Sequence, residues 1–180
     1  MTLPGIRGTL RENEPMDRHT SWRAGGRAQR FFEPADTEDL VAFVHQLPIA
    51  EPLVWLGLGS NLLVRDGGLR ATVIHTRTAL RMLEGLDGAR VRVGAGVPCA
   101  KVARFCARRG WVGAEFLAGI PGTMGGALAM NAGAWGAETW DRVVALETLD
   151  RDGVRHQRSP SAYRIGYRTV LGPAQEGFLG

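Results

Sequence analysis

The chain has 180 residues, enough for one ordinary domain or two small lobes around a shared ligand, and too few for a large multidomain machine. Glycine supplies 25 of them with no collagen-like period, and 44% of residues are hydrophobic, which excludes both fibre and wholesale disorder. The formal charge is +4, but the basic residues are scattered and almost all arginine, with Lys101 the only lysine. That pattern gives no nucleic-acid-binding stripe; it reads first as a compositional bias without functional meaning, and otherwise as a mild preference for anionic ligands such as nucleotides.

In chain order, the first fifteen residues show no basic stretch followed by an apolar one, and no run of 18 apolar residues occurs anywhere. No secretion signal and no membrane span are expected, so the chain is placed in the cytoplasm. Arg27 to Glu33 reads as a strand. Thr37 is expected to cap a helix carrying Leu40, Val41, Phe43, Val44 and Leu47 on one side, with Glu38 and Asp39 in its first turn. Short strands are expected at Leu53–Leu56, Leu62–Val64 and Ala71–Thr76, then a hairpin from Leu80 to Val93 turning at Asp87-Gly88. A second helix spans Pro98 to Arg109 and stops at Gly110. Gly113 to Gly136 fits no simple periodicity, and a further hairpin spans Val143 to Gln157. The class is α+β, with two lobes, 1–76 and 77–180. Cys99 and Cys106 lie about 10 Å apart along the second helix, too far to bridge, and read as buried thiols in a reducing compartment.

Several chemistries are excluded. Lys101 lies in no Walker setting, and Gly57-Leu58-Gly59-Ser60-Asn61-Leu62 lacks the third glycine of a Rossmann fingerprint and leads into an expected strand rather than a helix. No Gly-x-Ser-x-Gly elbow occurs. His19, His45, His75 and His156 are isolated from one another and from the cysteines in sequence, so no metal site is expected.

Two glycine-rich segments remain. Gly57 to Asn61 reads either as a tight strand connection or as a nest of backbone N–H groups aimed at a phosphate. Small residues crowd together over the sixteen positions Gly119 to Ala134; Pro121 fixes one φ, and Gly122, Gly125 and Gly126 remove side chains that would block a flat ligand. Thr123 is placed to begin a short helix whose N-terminus faces an anion. A close-packed seam is the competing account, and the length of the run favours a ligand.

Four stretches then become specific: His19 to Gly26, Gly57 to Asp66, Gly113 to Glu138 and Ile165-Gly166-Tyr167-Arg168. Together they resemble the N-terminal, FAD-binding part of the UDP-N-acetylenolpyruvoylglucosamine reductase (UDP-N-acetylmuramate dehydrogenase) family. The resemblance implies a two-lobed FAD-binding fold of the vanillyl-alcohol-oxidase (PCMH) type. Gly57, Leu58, Gly59, Ser60, Asn61 and Leu62 would hold the pyrophosphate, while Pro121, Gly122, Thr123, Gly125, Gly126, Asn131, Ala132 and Gly133 would line the rest of the flavin site. It further implies NADPH as reductant, UDP-N-acetylglucosamine enolpyruvate as substrate and a role in peptidoglycan precursor synthesis, hence in cell-wall biogenesis, cell shape and division. Arg168 matches the family's catalytic arginine, and Glu115 is expected to support its loop. Tyr167 fits either a packing role on the flavin or substrate or a place in the core. Val170 replaces the family's usual serine, and the proton-donating serine and C-terminal glutamate would belong to a third lobe beyond Gly180, so a monomer incapable of turnover alone is expected. A flavin-binding module without catalysis, or another oxidoreductase of the same fold, are the alternatives.

Overall fold

The computed structural model describes residues 3–180. Strand β1 (Thr9–Pro15) pairs antiparallel with β2 (Arg27–Glu33), which continues into helix α1 (Thr37–Gln46), β3 (Leu53–Leu56) and β4 (Leu69–His75). The sheet order is β1-β2-β4-β3, with β4 parallel to both neighbours. Adjacent Phe31 and Phe32 project from opposite faces of β2, as strand geometry requires, and seed two cores. Phe32 stacks on Phe43 of α1 at 3.7 Å between ring centroids, joined by Leu40, Val44 and Ile74. Phe31 packs with Met16, Ala28, Leu56, Val64 and Val73 on the other face.

Beyond His75 come the hairpin β5 (Leu83–Leu86) and β6 (Arg90–Val93), helix α2 (Cys99–Ala107) and the short helix α3 (Met124–Met130). A third core joins α2 to Phe116, Leu117, Ile120, Met124 and Ala127. Two-residue strands β7 (Gly133–Ala134) and β8 (Ala137–Glu138) pair next, followed by β9 (Leu146–Leu149), β10 (Arg155–Arg158), the hairpin β11 (Arg164–Gly166) and β12 (Thr169–Leu171), and β13 (Gly177–Phe178). Strand β9 lies between β10 and β13. Leu149 of β9 and Leu179 are buried in the same cluster as Phe32 and Phe43, so apolar packing runs from the first sheet into the second half of the chain.

Three local expectations are corrected. Asp36, not Thr37, is the N-cap of α1: its carboxylate accepts the Asp39 N–H at 2.9 Å, and Thr37 is already helical. Leu62–Val64 forms no strand; Val64 instead fills the core beside Phe31. Strand β1 was not anticipated at all.

Candidate functional site

The loop after β3 and the segment Ile120–Ala132 face each other across a cavity of about 310 Å3, lined by Trp55 through Leu62, Ile120 through Thr123, Gly126, Ala127, Ala129, Met130, Ala132 and Arg168. That volume falls at the lower end of what ligand sites occupy. Two contacts bring its walls together. A β-carbon on Gly57 would overlap the Thr123 side chain, and one on Gly122 would lie 3.5 Å from the Ser60 hydroxyl oxygen.

The loop residues Leu58, Gly59, Ser60 and Asn61 donate their backbone N–H groups to nothing among the described residues. Gly59 adopts φ 68°, and its carbonyl accepts the Ser21 N–H at 3.1 Å, which pins the loop from behind. Four successive donors without internal partners are the donor set a pyrophosphate needs. Helix α3 begins after Thr123 as expected, but two of its first N–H groups are already spent. The Met124 N–H goes to the Val97 carbonyl at 2.9 Å and the Gly125 N–H to Ala95 at 2.8 Å. Its part in the cavity is a small-residue wall, where Gly122, Gly126 and Ala132 leave room for a flat group.

Three expected site residues do not reach this cavity. Gly125 faces Ala95, whose β-carbon would lie 2.9 Å from any side chain placed there, so this glycine is explained by helix packing. Asn131, only 4% exposed, ends α3 at φ 42° and is spent internally: its amide donates to Glu138 at 2.6 Å and its oxygen accepts the Trp140 N–H at 3.2 Å. Gly133 lies in the β7–β8 hairpin against the Ala137 carbonyl. The remaining eleven cofactor-site residues (Gly57, Leu58, Gly59, Ser60, Asn61, Leu62, Pro121, Gly122, Thr123, Gly126 and Ala132) line one cavity, together with Arg168. Six lining residues were not singled out from the sequence: Trp55 and Leu56, which read as part of an apolar strand, and Ile120, Ala127, Ala129 and Met130, which lie within the glycine-rich run.

Arg168 sits in the turn between β11 and β12 at φ 50° and has no carboxylate partner among the described residues. Tyr167 beside it is 85% exposed, which removes it from the core. The Glu115 carboxylate accepts the Gly113 N–H at 2.7 Å, and backbone hydrogen bonds from its own N–H and that of Gly113 hold its pKa below the usual range, as a loop-supporting role demands. Burial pushes the Cys99 thiol up to about 12 and raises Cys106 as well, so neither is a nucleophile at neutral pH. The histidines are less isolated than the sequence implies: His19 and His75 approach to 6.1 Å between ring centroids, each held by a glutamate, Glu14 and Glu33.

Comparison with known proteins agrees with this geometry. Residues 28–157 match the FAD binding domain family. The chain is 58% identical over 178 residues to the UDP-N-acetylenolpyruvoylglucosamine reductase of Methylococcus capsulatus, covering 99% of this chain and 59% of that protein. It is 59% identical over 172 residues to that of Alkalilimnicola ehrlichii, covering 96% and 57%. The chain thus spans less than two thirds of the length of these relatives. Among solved structures, the UDP-N-acetylenolpyruvylglucosamine reductase of Thermus caldophilus superposes with a TM-score of 0.76 at 30% identity, over 96% of this chain and 60% of that one. Cholesterol oxidase of Brevibacterium sterolicum, at 17% identity, TM-score 0.62 and 88% coverage of this chain, against 34% of its own, shares the fold alone. A cavity of glycine-lined walls with unspent N–H donors, and a family match over most of the chain, lead to one assignment: the chain belongs to the FAD-binding-domain family.

Proposed function

We propose that this chain is the FAD-holding part of a UDP-N-acetylenolpyruvoylglucosamine reductase, in which UDP-N-acetylglucosamine enolpyruvate is reduced with NADPH to UDP-N-acetylmuramate. The single observation that carries the reading is the convergence of the Gly57–Leu62 loop, the Pro121–Ala132 wall and Arg168 on one cavity. The fit to FAD is supported by the four unspent N–H groups of Leu58–Asn61 and by the missing side chains at Gly122 and Gly126. Bound FAD would supply the two-electron chemistry, with hydride drawn from NADPH and delivered to the enolpyruvyl double bond.

The chain's own residues hold and polarise. Leu58–Asn61 would bind the pyrophosphate through backbone donors, and Gly122, Gly126 and Ala132 would shape a flat slot. Arg168 would fix the substrate carboxylate and stabilise the negative charge that develops beside it when the double bond gains hydride. A guanidinium without a carboxylate partner is free to do this. The test is the Arg168→Lys variant in the complete reductase containing this chain. NADPH-dependent substrate reduction should fall by a factor on the order of a hundred or more with flavin content unchanged. Activity retained within a few-fold of wild type would remove Arg168 from that role.

A further inference from the structure

Behind the Gly57–Leu58 backbone lies a second cavity, of about 760 Å3, lined by Asp17, Arg18, His19, Thr20, Ser21, Arg23, Gly57, Leu58, His75 and Arg77. It shares Gly57 and Leu58 with the flavin-site cavity and is otherwise built from different residues. Its charge is one-sided: three guanidinium groups and two imidazoles face a single carboxylate, Asp17.

The arginines are unspent. Arg7, Arg11, Arg30, Arg155 and Arg158 each pair with a carboxylate. Arg18, Arg23 and Arg77 have no hydrogen-bond or ion-pair partner for their side chains among the described residues. Of the glutamates nearest the pocket, Glu14 bonds His19, and Glu33 bonds His75 and Arg11. The wall carrying Arg18 and Arg23 is also fixed in place. The short helix Met16–Arg18 ends at His19, whose ring stacks on Phe31 at 4.2 Å. Arg23 is held at φ 50°, a left-handed conformation costly for a side-chain-bearing residue, by its N–H bond to the Thr20 carbonyl at 3.1 Å. The Ser21 N–H to Gly59 bond ties the same segment to the phosphate loop.

We propose that this pocket is a second phosphoryl-binding site, in which Arg18, Arg23 and Arg77 grip a phosphate or pyrophosphate group on the far side of the Gly57–Leu58 backbone from the flavin slot. Forked guanidinium donors converging on one concave surface match phosphate oxygens, and His19 and His75 add donors at its inner wall. The phosphoryl group belongs to a ligand separate from FAD, whose own pyrophosphate is assigned to the Leu58–Asn61 nest.

Inorganic pyrophosphate is titrated calorimetrically into the FAD-loaded and the FAD-free protein, for wild type and for Arg18→Gln, Arg23→Gln and Arg77→Gln. FAD content is read from visible absorbance and folding from thermal melts. All three side chains are exposed, so the fold should survive each change. Saturable binding to the FAD-loaded protein, weakened about five-fold or more by each substitution, establishes the site and a separate ligand. Binding confined to the FAD-free protein overturns the proposal, since the anion would then take the place of the FAD pyrophosphate. No saturable binding in either form overturns the proposal, as does binding indifferent to all three substitutions, which would place the anion in the Leu58–Asn61 nest. A protein that holds no FAD would fail the flavin reading separately, while arginine-dependent pyrophosphate binding would still decide this one.

Discussion

Adjacent glycines in α3 do opposite things, and a side chain added at each should show it. A helix turns 100° per residue, so Gly125 and Gly126 look in different directions: one at Ala95, the other across the cavity. A methyl at Gly126 meets only the Thr123 hydroxyl at 3.8 Å and replaces the poorest ordinary helix former with the best. Gly126→Ala should therefore raise unfolding stability by up to about 1 kcal/mol while weakening FAD binding, because the methyl enters the slot. Gly125→Ala should instead cost about 1–3 kcal/mol by overpacking against the Ala95 β-carbon and carbonyl, with FAD affinity following only as the helix shifts. Urea unfolding and flavin fluorescence titration read the two effects separately. The opposite pattern would mean that α3 presents its other face to the ligand. The composition could not make this distinction: between two adjacent glycines, nothing in the sequence marks which one packs and which one lines a site. The family resemblance placed Asn131 and Gly133 with the ligand, whereas their backbone positions form a helix end and a hairpin.

Elements were legible in proportion to how much apolar pattern they carried. β2, β4, α1 and α2 bury continuous or periodic hydrophobic faces and stand where the sequence puts them. β1 runs Thr-Leu-Arg-Glu-Asn-Glu-Pro, an edge strand whose ladder to β2 is set by backbone pairing, with little apolar signal to betray it. Polar joints between elements were equally silent. Arg151, in the turn between β9 and β10, donates to the Glu51 carbonyl at 2.8 Å and the Pro48 carbonyl at 2.7 Å, binding that hairpin to the end of α1. Arg151→Ala should lower unfolding stability by about 1–3 kcal/mol, since it strips partners from two carbonyls; a change under a few tenths would show that water replaces the bonds without loss. Glu51 accepts from Thr72 at 2.6 Å and pairs with Arg30 at 2.5 Å, joining three elements. Burial pushes its pKa up, but the Thr72 hydrogen bond and Arg30 together outweigh that and hold it below the ordinary 4.5. A depressed carboxyl contributes stability above its unfolded pKa and loses it as pH falls through the folded value. Glu51→Gln should accordingly be less stable than wild type at pH 7, and the gap should close below about pH 4.5 in thermal melts run from pH 7 to 3. A gap independent of pH would assign the loss to shape rather than charge.

At the scale of the molecule, the proposed flavin cavity is closed by segments that belong to different cores. The Gly57–Leu62 loop hangs from the first sheet beside the Phe31 cluster, and the Ile120–Ala132 wall is rooted in the α2 cluster. The walls come together where Thr123 meets Gly57 and where Ser60 lies near Gly122. A ligand that bonds one wall through N–H groups and packs on the other adds the contacts the protein lacks, and because it binds only the folded state it shifts stability by mass action. FAD at a hundred times its dissociation constant should stabilise the fold by about 2.7 kcal/mol. Hydrogen exchange should distinguish this bridging from a general tightening. The Leu58–Asn61 amides, open without ligand, should become protected together with the wall at Gly122–Thr123. The Phe32–Phe43 core should gain only the uniform protection that follows from the global shift. Protection confined to one wall would mean that FAD rests on a single half of the fold, and the cavity between the two would then not be its seat.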